Sequence, residues 1–225
     1  LEPSSEAVAF MRIHNADGGE AEACGNAARC VAAFLMKEAG AAEVSLATAA
    51  GIVHASAAGD GAISADMGPP GLDWRDIPLA SEHDTLRLPI EEGPLAGPTA
   101  VSMGNPHMVF FVDDAEAVDL AALGPGLARH PLFPEGVNVG VATRRADGGI
   151  RLRVCERGVG VTRACGTGAC AARVAAARRG LSGRGGPVEL DGGVLEITWE
   201  ADGHVLMTGP AAISFSGVID PALLL

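Results

Sequence analysis

Lysine is all but missing from these 225 residues: Lys37 is the only one. Pyridoxal phosphate chemistry holds its cofactor through a lysine Schiff base, and this lone amine sits about three turns into an expected helix, on a charged stretch, so a cofactor-free protein is expected. Cations in general are scarce, with 16 Lys and Arg against 28 Asp and Glu and a net charge of −12. Nucleic acid and anionic membrane surfaces need clustered cations to displace counterions; both are excluded as partners, and a small molecule is the expected ligand. No apolar run reaches the roughly 18 residues of a membrane span, because Lys, Arg, Glu or Gly interrupts each one. The five cysteines are an odd number, and Cys24 with Cys30, like Cys165 with Cys170, lacks the CxxC spacing of structural zinc. No metal is expected, and a reducing cytoplasm fits best. His14, His54, His83, His130 and His204 have no metal-like spacing either and receive no role. What is present is a 48% hydrophobic chain, enough for one large domain or two of about a hundred residues each.

Two segments repeat an unusual arrangement. "EACGNAARCVAAFLMKE" (22–38) and "RACGTGACAARVAAARR" (163–179) each place Ala-Cys-Gly and a polar residue at the mouth of an alanine-rich helix. Around them the chain reads as two related halves. The first is a strand over 7–17, a turn at Asp17-Gly18-Gly19, a helix from about Gly25 to Ala39, and an alternating hairpin through 43–68. Gly68-Pro69-Pro70-Gly71 marks the boundary, since such residues resist both helix and central strand. The second half holds a strand over 99–114, a short helix near Asp119 to Leu127, a strand at 136–142, and again strand, glycine loop, cysteine and helix over 149–180. A hairpin follows, with turns at Asp191-Gly192-Gly193 and Asp202-Gly203. The expected organisation is 1–69, 70–209, and a segment 210–225 returning to the first domain. The fold class is α/β (α+β): two pseudo-symmetric domains, each a central helix wrapped by largely antiparallel strands.

The first turn of a helix leaves backbone N–H groups unpaired at the positive end of the macrodipole, so a thiol there ionises more readily than a free one. Cys24 and Cys165 are therefore candidate reactive thiols. The same N–H groups, reachable beside Gly25 and Gly166, form a site for a carboxylate. If the halves face each other, the arrangement suits inversion of a carbon that carries a carboxylate and a hydrogen. One thiolate removes the proton from one face, and the opposite thiol protonates the other face. Each sulfur then lies roughly 3–3.5 Å from the carbon, which puts the two about 6–7 Å apart. Cys30, Cys155 and Cys170 are read instead as small buried hydrophobes.

"NADGGEAEACGNAARC", "GNPH", "GVNV", "ERGVG" and "ACGTGACAA" occur in the order and spacing found in diaminopimelate epimerases, and the chain resembles that family over nearly its whole length. The resemblance implies two pseudo-symmetric α/β domains with the site between them. It also implies interconversion of LL- and meso-diaminopimelate without metal or cofactor, on the way to lysine and peptidoglycan. It makes Cys24 and Cys165 the acid/base pair, and Gly25, Asn26, Gly166 and Thr167 the cradle of the reacting carboxylate. It places Glu156 at the substrate ammonium and Arg157 at the distal carboxylate, where a bidentate fork is apt. Asn15, Asn105 and Asn138 would hydrogen-bond the substrate's polar ends, and His107 would line the cleft. Dimerisation is common in such a family, which makes a homodimer an option here.

The resemblance has departures. Val161 stands where the family commonly has an acidic residue, Cys155 where it usually has an aromatic, and Ala27-Ala28 where a glycine is frequent. Family members also carry about fifty further residues ahead of the position of Leu1, so an incomplete first domain is expected. Two other readings stay open. One is a neighbouring cofactor-free isomerase of the same fold: a proline racemase, which usually lacks the Cys-Gly-Asn form, or a phenazine-pathway isomerase, which lacks the cysteine pair. The other is a non-catalytic protein, either a truncated one or a thiol protein using Cys24 and Cys165 as a redox switch.

Overall fold

In the computed structural model, which describes residues 1–14, 18–21, 24–215, 217, 218, 220 and 222, the chain opens with three two-residue strands. These are β1 (Ala9–Phe10), β2 (Ile13–His14) and β3 (Glu20–Ala21). The expected single strand over 7–17 is thus broken, and Asn15 and Asp17 lie outside the described residues. Helix α1 (Gly25–Ala39) follows over the expected span and ends at Gly40, whose left-handed backbone (φ 63°) lets its N–H reach the Met36 carbonyl. Its buried positions Ala28, Arg29, Ala32 and Met36 recur at three and four residues, while Cys30, Phe34 and Lys37 face outward. Cys30 is therefore not the small core residue expected: its place on the turn points it away from the sheet.

Alternating apolar residues then build β4 (Glu43–Thr48), β5 (Gly51–Ala57) and β6 (Ala62–Asp66), an antiparallel meander under α1. Val44, Leu46, Ala55 and Ile63 pack on Ala28, Ala32 and Met36. Beyond Gly68-Pro69-Pro70-Gly71 come the short β7 (Glu91–Glu92) and β8 (Leu95–Ala96), then β9 (Thr99–Ser102) and β10 (Pro106–Phe111). The sequence reads 99–114 as one strand. It is a hairpin, because Gly104 takes φ 85° in the turn and the two arms pair antiparallel.

The second half continues with α2 (Leu120–Leu127), capped by the Asp119 carboxylate, which accepts from the Ala122 N–H at 3.1 Å. After it come β11 (Asn138–Arg144), β12 (Ile150–Glu156), β13 (Gly160–Thr162), α3 (Gly166–Arg178), β14 (Gly185–Leu190), β15 (Gly193–Trp199) and β16 (Val205–Pro210). Strand β10 sends Met108 and Phe110 to a core under α2, joined there by Val139, Val141 and Cys155. On the other face Val109, Leu152 and Val154 meet α3. Residues 168–176 of α3 are all buried, which is why the helix is nearly all Gly and Ala: a helix enclosed on every side must be thin. The fully buried Arg173 donates to the carbonyls of Gly148 and Pro187 and to the Ser182 hydroxyl.

One sheet runs through both halves, in the order β1-β4-β5-β6-β16-β15-β14-β12-β11-β10-β9, with β13 on β12. The joint is β16 against β6, antiparallel from Leu206↔Asp66 to Pro210↔Ala62. Because side chains alternate along a strand, Val205, Met207 and Gly209 of β16 face inward, and all three are buried.

Candidate active site

Cys24 and Cys165 are the N-cap residues of α1 and α3, and their backbones nearly coincide, at φ −147°, ψ 104° and φ −135°, ψ 107°. Each carbonyl accepts the first helical bond, from Ala28 at 2.9 Å and from Ala169 at 3.0 Å. Neither thiol caps its own helix. Both sulfurs are thus held at a helix start whose first-turn N–H groups face outward from the turn.

The two helix starts lie within one side chain's reach of each other. A Cβ on Gly25 would stand 2.3 Å from Cε of Met207, and one on Gly166 would stand 2.8 Å from its Sδ and 3.5 Å from Oδ1 of Asn26. Glycine at these positions does more than open N–H groups to a ligand: the space a side chain would take is filled by methionine. The Asn26 amide is itself held, accepting from Nη2 of Arg29 at 3.0 Å. Arg29 is 6% exposed, and its Nε and Nη1 find no partner among the described residues. Gly209 leaves the room it occupies, since a Cβ there would come 3.4 Å from Nε. Neither Met207 nor Arg29 was flagged by sequence reasoning. No local signal marks Met207, while Arg29 reads as an ordinary surface cation of an amphipathic helix.

The environments of the two thiols differ. Cys24 is half-buried, whereas Cys165 is 5% exposed. Burial pushes the Cys165 thiol up to about 12, and the Glu156 carboxylate adds to the rise by repelling a thiolate and accepting the S–H; the Thr167 hydroxyl and the Gly168 N–H pull the other way and lose. At Cys165 the thiol is thus pushed up and not, as a helix start alone leads one to expect, down, with desolvation the largest cause. Glu156 also accepts from the Thr162 hydroxyl, which holds the carboxylate beside the sulfur.

Next to Cys165 lies a polar relay. His107, 1% exposed, shares its Nε2 between Oδ1 of Asn105 at 3.0 Å and Oγ1 of Thr167 at 3.1 Å, and Oγ1 is 3.6 Å from the Cys165 sulfur. Burial, helped by the Arg157 charge, pushes His107 down to about 3, so the ring is neutral. Since Oδ1 only accepts, Nε2 carries the hydrogen in this amide orientation. The Thr167 hydroxyl proton is then left to point at the sulfur.

Asn138 is turned to other work: Nδ2 donates to the Pro106 carbonyl at 3.3 Å, and Oδ1 accepts the Arg157 N–H at 2.9 Å. The Arg157 guanidinium donates from Nη1 to the Glu135 carbonyl at 2.6 Å. It lies across Gly136, where a Cβ would meet its Cδ at 2.9 Å. Glu156 and Arg157 line a groove of about 620 Å³ beside the β12–β13 turn, with Glu135, Gly136 and Gly158. Asn15 cannot be placed, as it lies outside the described residues. The two departures in this region turn out to be neighbours: Cys155 and Val161 are cross-strand partners, and Val161 is 41% exposed. An acid at 161 would sit in solvent; at Cys165 burial, and after it the Glu156 carboxylate, raise the thiol. Among the described residues no group of three or more His, Cys, Asp or Glu could hold a metal ion, and no helix is long and apolar enough to cross a membrane.

This fold, with its paired helix-in-sheet halves, is shared with solved structures of racemases, epimerases and phenazine biosynthesis proteins. A probable proline racemase from Agrobacterium radiobacter superposes with a TM-score of 0.66 at 22% identity, covering 97% of this chain and 75% of its own. A predicted epimerase from Pseudomonas aeruginosa gives 0.62 at 20%, covering 95% and 82%. In sequence, the diaminopimelate epimerase family matches residues 1–72 and 99–214. The diaminopimelate epimerase of Rhodospirillum centenum is 57% identical over 226 residues, covering 100% of this chain and 78% of that protein. That of Erythrobacter litoralis is 56% identical over 220, covering 98% and 80%. The chain belongs to the diaminopimelate epimerase family and is an isomerase.

Proposed function

We propose that the chain interconverts LL- and meso-diaminopimelate through Cys24 and Cys165, in the supply of lysine and peptidoglycan precursors. The observation that carries this reading is the matched pair of N-cap cysteines, alike in backbone and brought together at adjoining helix starts. The reacting carboxylate would lie against the first-turn N–H groups of Gly25, Asn26, Gly166 and Thr167, which stabilise the charge that develops as the α-proton leaves. In one direction the Cys24 thiolate takes that proton and becomes a thiol. Cys165, held protonated by its surroundings, gives its proton to the opposite face and becomes a thiolate. The carbon inverts, nothing is oxidised or reduced, and the reverse turnover restores the starting protonation. Glu156 would meet the α-ammonium and Arg157 the distal carboxylate.

The test is α-proton exchange and inversion of LL-diaminopimelate in deuterated water, followed by NMR, for this chain and for Cys165→Ser. Exchange and inversion in the parent, with inversion falling on the order of a hundredfold or more in the variant, is the expected result. A folded parent that exchanges nothing would overturn the proposal and favour the non-catalytic reading.

A further inference from the structure

A two-thiol inversion works only if both sulfurs reach one carbon from opposite faces, so the spacing of the two helix starts is part of the chemistry. One side chain occupies the space between them. Met207, fully buried at the middle of β16, places Cε against the Gly25 position and Sδ and Cε against Gly166, at the 2.3, 2.8 and 3.2 Å separations a Cβ there would show. Met67 also packs on the Gly25 position, at 3.0 Å, but is not among the three nearest atoms at Gly166. Strand β16 is also the one that bonds the first half of the sheet to the second, so Met207 is anchored relative to both helices at once.

We infer that Met207 is a positioning residue that sets the separation and facing of the two thiols, acting through Gly25 and Gly166; the inference rests on the two-thiol reading above. Of the helices' own first-turn side chains Asn26 reaches across, its Oδ1 3.5 Å from where a Gly166 Cβ would stand, and the closer packing comes from the strand beneath. An unbranched thioether can lie along both starts where a branched residue would press on one. A close-packed interior passes a loss of its volume directly to the backbones that rest on it. If Met207 is shortened, one thiolate still removes the α-proton, but the opposite S–H is no longer in line to deliver one. The first thiol, having traded its proton for solvent deuterium, then returns a deuteron to the face it came from, which gives exchange with retention.

The experiment is the same deuterium assay applied to the parent, Met207→Ala, Met207→Leu and Met67→Ala, reading the ratio of α-exchange to inversion together with kcat and KM. In Met207→Ala the ratio should rise by on the order of tenfold to a hundredfold, and KM should rise as well, because the carboxylate cradle stands on the same two helix starts. Met207→Leu, which keeps most of the volume, should fall between, and Met67→Ala should change the ratio less than Met207→Ala. A lower fraction of folded enzyme scales exchange and inversion equally, so exchange and inversion declining in proportion in the Met207 variants would overturn the inference and leave the two-thiol reading standing. Should Met207→Ala not fold, Met207→Leu decides alone: an unchanged ratio overturns it. A parent with neither exchange nor inversion removes the two-thiol reading and this inference with it.

Discussion

Cys24 and Cys165 share a backbone conformation but not a solvent, and at Cys165 it is burial that raises the thiol. Burial also governs His107, whose ring is buried between Asn105 and Thr167 and held down at about 3. An unfolded histidine titrates near 6.5, so between pH 6.5 and 3 the unfolded chain binds one more proton at this position than the folded one. Stability contributed by the neutral ring is complete above pH 6.5 and is lost as pH falls, by about 1.4 kcal/mol per pH unit from this residue. Urea unfolding at several pH values between 6.5 and 4.5 should give a slope shallower by about one proton for His107→Asn than for the parent. Parallel slopes would mean that the ring protonates in the folded protein. The cysteine and glycine of each helix start stand in motifs visible in the sequence, whereas Met207 and Arg29 do not. The burial that inverts the expected ionisation of Cys165 was not legible there either, because it depends on strands distant in the chain.

At the scale of elements, α1 was legible to the residue because a cysteine–glycine start and a glycine stop bracket an apolar stripe of helical period. The β9–β10 hairpin was not, since Gly104-Asn105-Pro106 interrupts a run whose apolar residues continue on either side. Nor was the pairing of β16 with β6, which no local pattern announces. The close seat of α2 is a further case. A Cβ on Gly124 would stand 2.6 Å from the Cβ of Cys155 and 2.7 Å from its Sγ, so the helix backbone rests directly on a small side chain where the family usually has an aromatic. Cys155→Phe should overpack this contact and destabilise the protein by about 1–3 kcal/mol, visible as a lower urea midpoint. An unchanged midpoint would show that α2 can back away at no cost.

Over the whole molecule, a continuous sheet makes the halves interdependent. Both tryptophans, Trp74 and Trp199, report on the second half, while far-ultraviolet circular dichroism reports on both halves. Because β16 hydrogen-bonds to β6 along five residue pairs and Met207 packs against both helix starts, the two signals should change at the same urea concentration in one transition. A circular dichroism change that clearly precedes the fluorescence change would mean that the first half melts alone. The two-half reading came from the repeated cysteine–glycine segments. The joint between the halves needed three dimensions, since its two strands, Ala62–Asp66 and Val205–Pro210, are far apart in the chain.

The outward face of α1 has a practical consequence. The helix that begins at Cys24 carries near its far end the only lysine, exposed Lys37, so a lysine-specific protease has one bond to cut in the entire chain. A protease needs that turn unwound, and the rate of a single cleavage into two fragments therefore reads how often this one helix opens in the native protein. Digestion with and without a bound ligand would measure how firmly occupancy clamps the helix start, through a peptide bond at the helix's opposite end.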